Sequence, residues 1–281
     1  MQLPDELLAI VRAVSAVGRP RLVGGCVRDW LLGLEPKDFD LEVAGVDYET
    51  LVRSLAPFGE PDLVGRSFGI VKLRRAGVEY DFSLPRRESK TGAGHRGFAV
   101  TPDPALSEAE AAARRDFTIN AIAYDLLADR VADPHEGRRD LRAGVIRAIG
   151  DPAERFREDG LRPLRACRFA AQLGFIVEEA TQKAIPGSLD ILAMVSAERV
   201  RDEILKILGT PIPSAGFALM KSTGILAVVL PELLEGDGVA QGSFHCHDVF
   251  EITEPRSAIF FFDRNAVQAE RAHLRPKMAR E

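Results

Sequence analysis

Leu22-Val23-Gly24-Gly25-Cys26-Val27-Arg28-Asp29, followed by Leu31-Leu32-Gly33 and then Lys37-Asp38-Phe39-Asp40, sets three backbone instructions in one short span. Arg21 to Val23 reads as a short buried strand, and Cys26 to Leu32 reads as a helix that stops at Gly33. Gly24-Gly25 therefore occupies a strand-to-helix turn. Glycine there lets backbone N–H groups approach a phosphate closely, and the helix start that follows favours negative charge. Phe39 to Val43 alternates and predicts a second strand. Asp38 and Asp40, two residues apart, then present both carboxylates on one face. Paired oxygen ligands suit a hard divalent cation. A third carboxylate on a neighbouring strand usually completes a two-metal site of this kind. Asp81, in Glu79-Tyr80-Asp81-Phe82, is the candidate, with Glu79 on the same face as the alternative.

Outward from this span, Pro4 to Val17 has helical apolar spacing and ends near Gly18 and Pro20. Tyr48 to Leu55 reads as a helix, and Ile70 to Leu73 with Val78 to Phe82 as a hairpin around Ala76-Gly77. Ser83 to Pro104 turns to Pro, Gly, Arg and Lys without periodicity and is expected to be a long exposed loop. A helix resumes at Ser107 to Ala113, and Ile119 to Tyr124 leads into a polar turn at Asp133-Pro134. The second half reads as helical over Ala153 to Leu173, Glu178 to Ala184, Ala197 to Leu208 and Ile212 to Ser222. A boundary near Asp151-Pro152 would divide a mixed α/β head (1–150) from an all-α body (151–235), with 236–281 as a short tail.

The chain has 281 residues, 46% of them hydrophobic, enough for a substantial core and about two domains. It lacks the roughly 18 consecutive apolar residues of a membrane span, and residues Met1 to Asp5 lack signal-peptide character. The expectation is a soluble cytoplasmic protein with no membrane partner. Cys26, Cys167 and Cys246 have no metal-ligand spacing, so they are expected to be reduced and packed. A net charge of −5 argues against coating nucleic acid by bulk electrostatics. Arginine is nonetheless concentrated at Arg86-Arg87, Arg114-Arg115, Arg138-Arg139 and the set Arg155, Arg157, Arg162, Arg165 and Arg168, each able to meet phosphate.

The opening span resembles the first motif of the class II tRNA nucleotidyltransferases and bacterial poly(A) polymerases, in the polymerase-β superfamily. Arg114-Arg115-Asp116-Phe117-Thr118-Ile119-Asn120-Ala121 is similar to their second motif. Glu158-Asp159-Gly160-Leu161-Arg162-Pro163-Leu164-Arg165-Ala166-Cys167-Arg168-Phe169 is similar to the nucleotide-selecting motif. Ala197-Glu198-Arg199-Val200-Arg201-Asp202-Glu203 resembles a later structural motif of the helical body. The four stand in family order from Leu22 to Glu203. The resemblance implies an α+β fold: a polymerase-β-type nucleotidyltransferase head, a mixed sheet with flanking helices, then an all-α neck and body. It implies that Asp38, Asp40 and Asp81 hold Mg²⁺. Gly25, Arg28 and Arg115 would hold the phosphates and sugar of CTP or ATP, and Gly24, Asp116 and Asn120 belong to the same nucleotide-binding set. Asp159 and Arg162 would read the base edge, so that protein rather than template selects C or A. Arg165 and Arg168 follow along the same helix. An Asp beside an Arg offers the acceptors and donors that a base edge needs.

The implied activity is addition of C and/or A to a tRNA 3′ end with release of pyrophosphate. Poly(A) polymerase, CC-only and A-only enzymes share these motifs, and a non-catalytic RNA-binding remnant is the alternative of another class. Gln241 to Glu251, with His247-Asp248, resembles the entry to a phosphohydrolase-like domain that some relatives append, but one His-Asp pair cannot build a metal site. Ile259 to Phe262 is a short apolar run and Arg264 to Glu281 is charged, so the C-terminus is expected to be shortened or remodelled.

Overall fold

The computed structural model describes residues 3–36, 38–63, 65–66, 69–75, 77–90 and 98–239. The expectations for Lys37, for Ala76, and for 240–281 with His247, Asp248 and the Ile259 run lie outside the described residues. Two compact units result, divided between Leu141 and Arg142, inside the last turn of the helix Gly137–Ala143 and ahead of the boundary expected near 150. The earlier division follows from Val145–Ile146, which pairs in parallel with Ile176–Val177 and so belongs to the second unit.

The first unit runs α1 (Asp5–Val14), β1 (Arg19–Val23), α2 (Gly25–Leu31), β2 (Phe39–Ala44), α3 (Tyr48–Leu55), β3 (Ile70–Arg75), β4 (Val78–Ser83), β5 (Arg86–Lys90), β6 (Phe98–Pro102), α4 (Glu108–Ala113), β7 (Ala123–Asp125), β8 (Arg130–Ala132) and α5 (Gly137–Ala143). Six strands form one sheet in the order β3-β4-β2-β1-β7-β8. Only the β2–β4 pair is parallel within it; the others run antiparallel. α3 lies in the β2-to-β4 connection, with β3 between, and starts on Asp47, whose Oδ1 accepts the Thr50 N–H at 2.8 Å. Leu7, Ile10, Leu22, Leu41, Leu51, Phe82 and Phe117 are buried in this unit, each burial stabilising by about 1.5–3 kcal/mol.

Ser83 to Pro104 is not a loop throughout: β5 and β6 pair from Arg86↔Pro102 to Lys90↔Phe98. β5 is polar throughout (Arg86-Arg87-Glu88-Ser89-Lys90), so its sequence carries no apolar alternation. α4 begins on a capping box in which Ser107 and Glu110 satisfy each other's backbone N–H groups.

The second unit holds β9 (Val145–Ile146), α6 (Pro152–Glu158), α7 (Arg162–Leu173), β10 (Ile176–Val177), α8 (Glu179–Ala184), α9 (Leu189–Ala193), α10 (Ala197–Leu208), α11 (Pro213–Ser222) and α12 (Ile225–Val229). Its core joins Phe156, Leu164, Cys167, Ile207, Phe217 and Met220. The single helix expected over Ala153 to Leu173 is broken in two. Asp159 is extended (φ −141°, ψ 107°), and a Cβ on Gly160 would lie 2.6 Å from the Ile191 carbonyl oxygen. The chain bends where only glycine fits, then restarts with Pro163 in the first turn of α7. Cys26 and Cys167 are buried and unpaired, and burial pushes the Cys26 thiol up to about 11 and raises that of Cys167.

Candidate active site

Gly24 adopts φ 75°, a conformation that disfavours any side chain. A Cβ there would lie 3.3 Å from Arg115 Nη1 and 3.5 Å from Asp40 Oδ2. The bare turn thus admits a carboxylate from its own motif and a guanidinium from the second. Behind it, the second motif braces the first. Arg28, buried, donates from Nη1 to Asn120 Oδ1 at 2.8 Å, and its Nε donates to Asp29 at 2.8 Å. Asn120 Nδ2 and the Phe117 N–H both donate to Asp116 Oδ1, at 2.9 and 2.8 Å. Gly24, Gly25, Arg28, Arg115, Asp116 and Asn120 therefore come together around one turn.

Asp40 in β2 and Asp81 in β4 are Cα partners in the parallel pair. Asp38 precedes β2 and is exposed. Asp40 keeps solvent access, but surrounding protein and then the Asp81 charge raise its pKa; Asp38 adds to this, while Arg115 and Lys72 oppose it. Asp81 divides its oxygens: Oδ2 lies 3.2 Å from Lys72 Nζ, whereas Oδ1 is buried without a hydrogen-bond partner. Glu79, the alternative third carboxylate, is engaged by Lys72 at 2.6 Å. Its Cα partner on β3 is Arg74, two positions along from the Lys72–Asp81 pair, so it lies two residues off the row that holds Asp40.

Among the described residues, no three His, Cys, Asp or Glu side chains form a finished metal cage. Mg²⁺ typically uses one or two carboxylates, with water and substrate phosphates supplying the rest. The Asp40–Asp81 pair fits that need: a cation would give Asp81 Oδ1 its missing partner and offset the repulsion that raises Asp40.

Glu42, two residues beyond Asp40 on β2, is buried and organises the arginine pair, with Arg114 at 2.7 Å and Arg115 at 3.8 Å. The sequence reading did not single it out. Its signal was the same two-residue spacing that linked Asp38 to Asp40.

In the second unit, Arg199 Nη2 donates to both oxygens of Asp159, at 3.1 and 2.9 Å. Arg162 is buried and donates from Nη1 to the Arg155 carbonyl at 3.0 Å and to Glu158 at 2.8 Å. Arg165 and Arg168 were grouped with the nucleotide ligands, but the structure turns both toward buried Glu203 of α10. Arg168 Nε lies 2.6 Å from it and Arg165 Nη1 3.8 Å. Arg168 also stacks over Phe169 at 4.0 Å. Arg199 and Glu203 both come from the later motif, which thus holds the nucleotide-selecting motif from α10.

A six-stranded mixed sheet with register-paired aspartates behind a glycine turn defines a polymerase-β-type nucleotidyltransferase head. Residues 20–147 match the family model "Poly A polymerase head domain", and 174–236 match "Probable RNA and SrmB- binding site of polymerase A". The chain belongs to the family of class II tRNA nucleotidyltransferases and bacterial poly(A) polymerases. A multifunctional CCA protein of Xanthomonas campestris pv. campestris is 43% identical over 233 residues, covering 80% of this chain and 54% of that protein. A CCA-adding enzyme of Bacillus stearothermophilus, solved in complex with CTP, superposes with a TM-score of 0.69 at 33% identity, covering 80% of this chain and 53% of that one. A tRNA nucleotidyltransferase solved with a primer tRNA and an incoming ATP analog gives a TM-score of 0.65 at 29% identity, covering 81% and 65%. The chain spans about half the length of the curated relatives it matches. Among the described residues, no helix is long and apolar enough to cross a membrane.

Proposed function

We propose that this chain is a cytoplasmic, Mg²⁺-dependent, template-independent nucleotidyltransferase that adds C and A from CTP and ATP to the 3′ end of tRNA. The observation that carries this reading is the row formed by Asp40 and Asp81, paired across parallel strands beside Gly24. The RNA 3′-oxygen attacks the α-phosphorus of the nucleotide, the bond to the β-phosphate oxygen breaks, and the hydroxyl proton and pyrophosphate leave. A bound divalent ion would activate the hydroxyl and neutralise the triphosphate. Asp40 and Asp81 would hold it, with Asp38 at the strand entrance contributing charge. Arg115, packed against the glycine turn and tethered by Glu42, supplies positive charge for the phosphates. Arg28, locked by Asp29 and Asn120, keeps the turn rigid. Catalysis by such a site is mainly positioning and electrostatics.

In the second unit, Asp159 and Arg162 occupy the helix break and present the acceptor and donor groups for choosing the base. Two relatives are named for CCA, one of them solved with CTP, and a third was solved with a primer tRNA and an ATP analog, which supports tRNA as the substrate. The name of the head model favours poly(A) addition as the second reading. Transcripts ending before CCA, ending after CC, and an unrelated RNA, each incubated with labelled CTP or ATP, separate the possibilities. Extension of the first by CCA supports the proposal, long A tracts on the unrelated RNA support the second reading, and RNA binding without incorporation under Mg²⁺ or Mn²⁺ refutes both.

A further inference from the structure

Lys72 belongs to none of the four motifs, yet the sheet places it beside the paired aspartates. It is the Cα partner of Asp81 in the antiparallel β3–β4 pair, and Asp81 is the partner of Asp40 in the parallel β2–β4 pair. One row therefore crosses three strands as Lys72, Asp81, Asp40. The ammonium sits 2.6 Å from Glu79 Oε1 and 3.2 Å from Asp81 Oδ2, while Asp81 Oδ1 has no hydrogen-bond partner.

Stability gives little reason for this arrangement. The Lys72 and Glu79 side chains are 41% and 48% exposed, and exposed pairs of this kind contribute little. The electrostatic effect on an arriving ion is larger, because a fixed positive charge on one oxygen of a carboxylate opposes a second cation at the other. Glu79 anchors that charge in place.

We propose that Lys72 sets the cation affinity of the Asp40–Asp81 pair: as an internal cation bonded to Asp81, it keeps divalent binding weak until a triphosphate supplies further oxygen ligands. The inference rests on the metal reading above. Two effects of removing Lys72 have opposite signs. If Lys72 merely held Asp81 in position, its loss would weaken metal binding; because it opposes the ion, its loss strengthens binding.

The test measures Mn²⁺ binding to the full chain without nucleotide, by electron paramagnetic resonance of free Mn²⁺. Wild type is compared with K72M, K72Q, K72R and D81N, with circular dichroism verifying that each is folded. K72M and K72Q are expected to bind Mn²⁺ on the order of tenfold more tightly than wild type. K72R, which keeps the charge, stays near wild type, and D81N loses binding. Unchanged or weaker affinity in the folded neutral variants, with D81N still defective, overturns the role of Lys72 and leaves the metal reading standing. D81N binding as tightly as a wild type that binds overturns the metal reading and this inference with it, and absence of Mn²⁺ binding in K72M and K72Q as well as in wild type overturns the role of Lys72.

Discussion

Arg199 reaches 40 residues back along the chain to hold Asp159, its Nη2 bonded to both carboxylate oxygens. Asp159 stands at the break between two helices, where its Oδ1 also accepts the Leu161 N–H at 3.1 Å. Arg199 adds a second restraint from α10. Replacing Arg199 with Ala should leave Mg²⁺-dependent chemistry running but reduce base discrimination by about 1–3 kcal/mol, or roughly fivefold to 150-fold in relative kcat/KM. Competing CTP and ATP against GTP and UTP measures it. Undiminished selectivity would remove Arg199 from the selecting apparatus.

Asp40→Asn should abolish incorporation without loss of fold. Protein surroundings and Asp81 raise the Asp40 pKa, so its charged form is disfavoured in the folded state. A raised folded pKa means the residue favours folding below its unfolded pKa, an advantage lost as pH rises through the folded value. At pH 7 the asparagine variant should therefore melt at or above the wild-type temperature. In metal-free protein, an NMR titration of the Asp40 carboxyl should have its midpoint above the ordinary aspartate range.

Glu203→Ala removes the acceptor from a buried site where Arg165 and Arg168 converge. Both arginines are half-buried and lose a shared buried carboxylate, so a loss of about 2 kcal/mol in the stability of the helical unit is expected, between the surface and fully buried cases. Denaturant unfolding followed by circular dichroism provides the number; a loss below about 1 kcal/mol would mean the cluster is solvated.

Gly24→Ala introduces a Cβ against Arg115 and Asp40 in a left-handed backbone, with a conformational cost of about 1–2 kcal/mol. Activity should fall much further than stability does. Equal losses on steady-state kinetics and thermal melting would argue that the turn serves only the fold.

The head was legible because its signals are local. Gly24-Gly25 marked the turn, and the helix from Tyr48 to Leu55 and the strand from Phe39 were placed within a residue of their observed ends. What stayed hidden depends on partners distant in sequence. Glu42 gains its role from Arg114 and Arg115, Lys72 from strand register, and Glu203 from a helix facing α7. Glu203 stands in a recognised motif and Glu42 shares the spacing of Asp38 and Asp40, but sequence neighbours alone name none of these partners. The two strands between Ser83 and Pro104 were missed because pairing with each other, rather than apolar alternation, defines them. The break at Asp159 was missed because helical spacing continues through it, and only the closeness of Ile191 reveals why Gly160 must bend.

That closeness has a consequence for redesign. With the Ile191 carbonyl 2.6 Å from where a Cβ would stand, the corner between α6 and α7 has no slack to drift when neighbouring side chains are exchanged. Altered nucleotide preference should therefore be portable: swapping residues at 159, 162 and 199 among relatives that keep the glycine transplants the choice of base on an unchanged frame, whereas any insertion at the corner forfeits it.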